Sequence, residues 1–357
     1  MSKLRVLVVG CGNMGTSHAR AYHSMDEFEI VGVVSRGPES REALAAELGG
    51  VATFCDFDAA MAEPRPDCVS INTYPDTHYE YCKKSLESGA HVFIEKPLAN
   101  TVEQCQELVD LATKKGVKLV VGYILRVHPA WQKFIEVAQT LGKPLVMRMN
   151  LNQQSRGKDW STHKSLMNSI SPIVDCGVHY IDVMCQMTRA KPVRVSAIGA
   201  RLSEELDEGM YNYGQLQVTF DDGSVGWYEA GWGPMMSETA YFVKDVVGPN
   251  GCVSITDNEG SERAAGSADV DSHTATNSLK VHYQDRDGDD EFVKPDEILD
   301  MTDEPDHDGL CLREQQLFAR TILEDIDLRD HMADAINATR TVLAADESFR
   351  TGRTVDL

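Results

Sequence analysis

Apolar positions along this chain follow two rhythms. Through the first third, short apolar runs alternate with segments of helical period: residues 4–9 read as a strand, a glycine-rich turn follows, 16–25 read as a helix and 28–35 as a second strand. A helix at 41–48, a short strand at 52–54 beside a strand at 68–72, a helix at 77–88, a strand at 91–95, a helix at 101–114 and a strand at 118–122 continue the alternation. Strands separated by helices of this length predict an α/β architecture with a parallel sheet and right-handed crossovers.

After residue 123 the rhythm changes. A helix is predicted at 129–141, a strand at 145–151, a polar loop at 152–164 and a helix at 172–187. Strands then follow one another at 193–202, 211–220, 226–231 and 240–247, with Asp221-Asp222-Gly223-Ser224 as a hairpin turn. Such a succession predicts a largely antiparallel sheet. Residues 257–308 are polar and acidic, interrupted by strand candidates at 279–283 and 291–293, and amphipathic helices at 311–324 and 330–349 close the chain. The expected division is a domain at 1–122 and a second at 123–357, with the last helices packing back on the body.

Composition narrows the class of protein. With 42% hydrophobic and 25% charged residues the 357-residue chain reads as an ordinary globular protein of two domains, and its apolar runs are far too short to span a membrane. A net charge of −22 argues against nucleic acid or an anionic membrane as partner, because both would be repelled. Nine cysteines without a CxxC pair, and an apolar strand where a signal peptide would begin, point to a reducing cytoplasm. Asp285, Asp287, Asp289 and Asp290 superficially suggest calcium, yet the glutamate at the twelfth loop position is missing; a solvated acidic surface is the simpler expectation.

Gly10-Cys11-Gly12-Asn13-Met14-Gly15 fits GxGxxG between a strand and a helix. Gly10 permits the tight turn, Gly12 admits a pyrophosphate close to the backbone, and Gly15 allows the helix to pack near the strand, so that Asn13 and Met14 open a helix facing the anion. Twenty residues beyond Gly15, where an acid would hold the ribose of NAD, the chain has Ser35 and Arg36. A hydroxyl and a guanidinium suit a 2'-phosphate, through charge-assisted bonds worth about 1.5 to 3 kcal/mol, which favours NADP(H) over NAD(H). With Arg36 over the adenine or in solvent, Ser35 alone would instead bond the ribose of NAD.

The strand at 91–95 ends on Glu95-Lys96-Pro97. Proline cannot extend a sheet ladder, so the chain turns outward at Lys96, where open parallel sheets bind ligands. Farther on, Asp175 and His179 stand four residues apart in a predicted helix and share a face. Imidazole is matched to proton transfer near neutrality. Taken singly, Lys96 is also an ordinary surface lysine, Asp175 an ordinary helix cap after Ser171-Pro172, and His179 an ordinary core histidine. No third ligand accompanies the pair, so no metal is expected.

The glycine turn, Asn72-Thr73-Tyr74-Pro75-Asp76-Thr77-His78, Glu95-Lys96-Pro97, Gly122-Tyr123-Ile124-Leu125-Arg126 and Asp175-Cys176-Gly177-Val178-His179-Tyr180-Ile181-Asp182 together resemble the Gfo/Idh/MocA family of sugar and cyclitol oxidoreductases, over nearly the whole chain. The resemblance implies a Rossmann domain, then an α/β domain with an open sheet whose face serves a homodimer or homotetramer. It also implies hydride transfer between nicotinamide and a ring carbon of a small-molecule sugar, glycoside or inositol. Lys96, Asp175 and His179 then line the substrate site: His179 as acid/base, Lys96 polarising the reacting oxygen and, beside the cationic nicotinamide, able to share the base role, with the order of proton transfer between the two open, and Asp175 orienting the imidazole or a hydroxyl. Asn72, Pro75, His78, Glu95, Lys96 and Arg126 are assigned to the cofactor, with a contact at the helix N-terminus as the other reading of His78 and pairing with an acid as that of Arg126; Tyr123 and Trp160 are assigned to the substrate, with Gln153, Arg156, Lys158 and His163 as readers of hydroxyls or as plain loop residues. Two other functions fit the same motifs, a glycosidase that retains NAD through transient oxidation and a non-catalytic dinucleotide sensor. The approach Met167-Asn168-Ser169-Ile170-Ser171-Pro172 is bulkier than the glycine-rich one of many relatives, so the resemblance does not carry a particular substrate.

Overall fold

In the computed structural model, residues 3–237, 243–256, 267 and 275–357 are described. The chain divides into two units, Met1–Val127 with Pro305–Ile336, and His128–Glu304 with Asn337–Leu357.

The first unit begins with β1 (Leu4–Val9), α1 (Asn13–Ser24), β2 (Phe28–Val34), α2 (Pro38–Glu47), β3 (Thr53–Phe54), α3 (Phe57–Ala62) and β4 (Cys68–Ile71). It continues with α4 (His78–Ser88), β5 (His91–Glu95), α5 (Val102–Lys115) and β6 (Leu119–Gly122). The strands form a parallel sheet in the order β3-β2-β1-β4-β5-β6, the doubly wound arrangement with β1 and β4 at its centre. Local chemistry sets the helix ends. Thr101 caps α5 by accepting from the Gln104 N–H at 3.2 Å, and Gly116 ends it at φ +66° after Lys114 and Lys115.

Three expectations change here. The short strand β3 pairs with β2, not with the strand beginning at Cys68. The first helix starts at Asn13, inside the glycine motif, because its opening residues carry no apolar period to reveal it. α3 is new: six residues are too few to display a period, and its signal is the cap, Asp56 accepting from the Ala59 N–H at 2.8 Å.

The second unit contains α6 (Pro129–Thr140), β7 (Val146–Gln153), α7 (Gly157–Leu166), α8 (Pro172–Thr188), β8 (Pro192–Ala200), β9 (Tyr213–Phe220) and β10 (Val225–Trp232). β11 (Lys244–Gly248), β12 (Gly251–Thr256), β13 (Ser278–Tyr283) and β14 (Glu297–Asp300) follow. α9 (His307–Leu323), α10 (Arg329–Thr351) and β15 (Val355–Asp356) end the chain. The sheet runs β14-β13-β12-β11-β7-β10-β9-β8-β15, antiparallel throughout except where β7 meets β10. Alternate residues of β9 are buried, as a sheet covered on one face requires.

α8 supplies much of that cover. Tyr180 stacks on Tyr228 of β10 with ring centroids 4.5 Å apart, and a Cβ on Gly177 would lie 3.1 Å from Val342 Cγ1. Residues 152–164, expected as loop, instead contain the first turns of α7. Of the strand expected at 240–247, residues 240–242 lie outside the described residues, as do 257–266 and 268–274 of the acidic stretch. α9 belongs to the first unit, not to the second domain: Phe318 packs against Phe28 and Phe93 in that unit's core, with centroids 6.2 and 6.1 Å away. α10 changes unit after Ile336. Among the described residues, no helix is long and apolar enough to cross a membrane.

Candidate active site

The glycine turn has the form a pyrophosphate needs. Gly10 has φ +98°, and a Cβ there would lie 2.3 Å from the Asn72 carbonyl oxygen; one on Gly15 would lie 1.9 Å from the Gly10 oxygen. Both glycines are therefore fixed by backbone crowding. Gly12 differs: a Cβ would meet nothing within 4 Å, and as the N-cap of α1 it leaves the first-turn N–H groups without a capping side chain. Open space in front of uncapped helix amides is an anion cradle, so these residues fit a dinucleotide. Asn13 is exposed and Met14 half-buried beside it. Asn72 is buried at the end of β4, its amide donating to the Ser70 carbonyl at 3.2 Å.

At the end of β2, Ser35 is half-buried and Arg36 exposed. Arg41, a residue without a sequence signal, reaches back from α2 to donate to the Ser35 carbonyl at 2.7 Å. A second guanidinium thus stands where the acid is missing. Burial pushes the neighbouring Cys11 thiol up to about 11, against the opposing pull of Arg41, so it stays uncharged.

Lys96 follows directly on β5, and its backbone N–H donates to Glu95 Oε2 at 3.2 Å. His78 locks the turn from below. It is fully buried, with Nδ1 2.7 Å from the Pro97 carbonyl and Nε2 3.0 Å from the Thr73 carbonyl. Both ring nitrogens face backbone carbonyls, which corrects the assignment of His78 to the cofactor; Pro75 is buried at the start of a 3-10 turn. Arg126 pairs with Asp334 at 2.9 Å and lies 5.9 Å from the centre of the Tyr123 ring. Tyr123 itself is 1% exposed.

In the second unit, Asp175 and His179 lie on α8, four residues apart as expected. Ser171 caps that helix, accepting from the Val174 N–H at 3.2 Å while donating to Asp346 at 2.7 Å. Asp175 is therefore not the cap. Cys176 Sγ lies 3.5 Å from Asp175 Oδ2. His179 is half-buried on the same face.

Trp160 is corrected. Its ring is buried with Met167, Leu206 and Trp232, and its Nε1 donates to Glu205 at 3.1 Å, so it offers no open face to a sugar. His163 takes the prominent place instead, stacked on Trp232 at 4.4 Å with Nδ1 2.9 Å from Ser155 Oγ. Gln153 is buried and accepts from Trp232 Nε1 at 2.8 Å, whereas Arg156 and Lys158 are exposed. The helical period of α7 is the signal that would have separated these residues, since it turns Trp160 inward and Lys158 out.

Burial drives the His163 imidazole down to about 4, with Asp175 and Asp159 opposing. A histidine depressed in the folded state leaves the unfolded chain binding more protons between about pH 6.5 and 4, so its stability contribution is complete above 6.5 and declines below it. After allowance for solvent screening the loss is on the order of 2 kcal/mol. Urea unfolding of His163→Phe between pH 7.5 and 5 is expected to show that much less acid loss than the wild type; equal pH dependence would contradict it.

Residues 4–123 match the model of the "Oxidoreductase family, NAD-binding Rossmann fold", and residues 133–249 match the "GFO/IDH/MocA C-terminal domain". The chain belongs to the Gfo/Idh/MocA family of oxidoreductases. Among curated relatives, it is 31% identical over 208 residues to UDP-N-acetylglucosamine 3-dehydrogenase of Acidithiobacillus ferrooxidans, covering 58% of this chain and 62% of that protein. It is 31% identical over 186 residues to D-glucoside 3-dehydrogenase of Escherichia coli, covering 51% and 53%. The matches thus span between about half and three-fifths of these relatives. The structure of scyllo-inositol dehydrogenase from Lactobacillus casei with bound NAD(H) and scyllo-inositol is similar at TM-score 0.77, with 20% identity and 99% of both chains covered; it shares the fold.

Proposed function

We propose that this protein is an NAD(P)-dependent dehydrogenase or reductase acting on a ring hydroxyl or carbonyl of a sugar, glycoside or inositol. The observation that carries the reading is the open cradle at Gly12 in front of the uncapped start of α1, within a family of oxidoreductases whose relatives include sugar 3-dehydrogenases. Gly10, Gly12, Asn13, Met14 and Gly15 hold the pyrophosphate, and Asn72 and Glu95 lie along the cofactor. When bound, the nicotinamide supplies the hydride acceptor or donor. Lys96 donates a hydrogen bond to the reacting oxygen and stabilises the charge that develops on it. His179 takes the hydroxyl proton in the oxidative direction and returns it in reduction, and Asp175 orients the imidazole or a neighbouring hydroxyl.

The test is a screen of the purified protein with sugar nucleotides, glucosides and inositols, using NAD and NADP in parallel. Reduced nicotinamide formed in proportion to substrate supports the dehydrogenase. Hydrolysis without net cofactor reduction would favour the NAD-retaining glycosidase, and tight dinucleotide binding with no turnover a sensor.

NADP(H) is the preferred cofactor on this reading, with Ser35, Arg36 and Arg41 around the 2'-phosphate. Arg36→Ala and Arg41→Ala are each expected to weaken NADPH about tenfold to a hundredfold and to leave NADH within about twofold, by fluorescence titration. Tighter wild-type binding of NADH than NADPH would overturn the preference.

A further inference from the structure

Behind Lys96, the first unit buries a continuous chain of polar groups. His18, on the inner face of α1, is fully buried, with its ring edge toward Phe93 at 4.8 Å between centroids. Its Nε2 lies 2.9 Å from Glu95 Oε1, and its Nδ1 lies 2.8 Å from Gln315 Nε2 on α9. With the Gln315 amide turned so that its nitrogen meets Nδ1, and its own oxygen left without a partner among the described residues, Nδ1 holds the lone pair and Nε2 the hydrogen. The imidazole therefore donates to Glu95. The other oxygen of that carboxylate accepts the Lys96 backbone N–H at 3.2 Å.

A second carboxyl stands next to this chain. Glu314 is 3% exposed, and neither of its oxygens has a hydrogen-bond partner among the described residues. Burial, with the Glu95 charge beside it, raises its pKa well above the ordinary carboxylate range, so Glu314 carries a proton and sets no second negative charge against Glu95. His18, Glu314 and Cys311 also bring one potential metal-ligand atom each within 4.8 Å of one another. Both ring nitrogens of His18 are engaged, however, and the Nδ1 lone pair already accepts from Gln315. The geometry favours hydrogen bonding over an ion.

We propose that His18, held in its Nε2–H tautomer by Gln315, is a positioning residue that fixes the Glu95 carboxylate and, through it, the backbone from which Lys96 extends. The inference rests on the role assigned to Lys96 above. Catalytic groups displaced by about 1 Å lose on the order of a hundredfold in rate, which is the scale of effect such a support can have.

Two measurements on the 357-residue chain need no substrate. Nitrogen NMR of histidine-labelled protein is expected to find His18 protonated on Nε2 alone, with that single tautomer lost in Gln315→Leu; a wild-type ring protonated on Nδ1, or on both nitrogens, overturns the proposal. Amide hydrogen exchange at Lys96 is expected to be at least about tenfold faster in His18→Leu than in the wild type, and near the wild-type rate in His18→Gln, whose amide can again donate to Glu95. Unchanged exchange in His18→Leu overturns it. With a substrate from the screen, kcat of His18→Leu should fall about tenfold to a hundredfold with KM within about threefold, and His18→Gln should recover most of that loss. Equal loss in the two variants overturns the proposal. A wild type that oxidises no sugar removes the dehydrogenase reading alone, because the tautomer and exchange measurements still decide the role of His18.

Discussion

Lys96→Met and His179→Ala are each expected to lower kcat by roughly 10²- to 10⁴-fold while leaving NADPH affinity within about threefold. Lys96 leaves the end of β5 at a point tied twice over, by the Glu95 carboxylate to its own N–H and by His78 to the Pro97 carbonyl. Replacing the ammonium with a thioether of similar length keeps that backbone tie and removes the donor proposed for the reacting oxygen. His179 stands on α8 without capping duty, since Ser171 performs it, so its loss removes a proton acceptor and not a helix end. Stopped-flow kinetics on the substrate found in the screen measures both. Wild-type turnover in both variants would show that these residues do not touch the reaction.

The second large effect separates two glycines three residues apart. Gly15→Ala would place a methyl carbon 1.9 Å from the Gly10 carbonyl oxygen and 2.8 Å from its carbon, both backbone atoms at the centre of the sheet's ligand edge. The helix must shift outward, so destabilisation of about 3 kcal/mol or more, together with loss of dinucleotide binding, is expected. Gly12→Val should behave in the opposite way. Its backbone, at φ −84° and ψ −167°, suits any residue and the added atoms start in open space, so the cost should be confined to the poorer N-cap, about 1 kcal/mol, well short of that of Gly15→Ala. That space is where the pyrophosphate would approach, so dinucleotide affinity should nevertheless fall at least about tenfold. Urea melts beside fluorescence titrations read the two effects apart. If Gly12→Val binds nucleotide normally, the cradle is not the binding site.

Much of this site is written in short range. GxGxxG, Glu95-Lys96-Pro97 and the Asp175, His179 spacing are each contained within one turn or one helix face, and the structure keeps each on the element its pattern implies. The assignments that changed depend on neighbours far along the chain. His78 has the sequence position of a cofactor contact, but the Pro97 carbonyl, 19 residues away, takes its ring. Trp160 has the composition of a sugar platform, but α7 turns it into a cluster with Leu206 and Trp232. Arg41 is found only because α2, started by Pro38, carries it back over the end of β2.

By itself, the sequence determined the alternation of strands and helices, the two kinds of sheet, the glycine turn and the identities of the proton-transfer candidates, because periodicity, turn chemistry and i, i+4 spacing are properties of neighbouring residues. Only the tertiary structure decided which buried polar groups support Lys96. Gln315 meets His18 across 297 residues, and nothing local to either residue specifies that hydrogen bond. It forms because Phe318 on α9 packs against the sheet of the first unit, and burying that apolar face brings the polar side chains beside it inside as well, where each must find a partner or hold a proton.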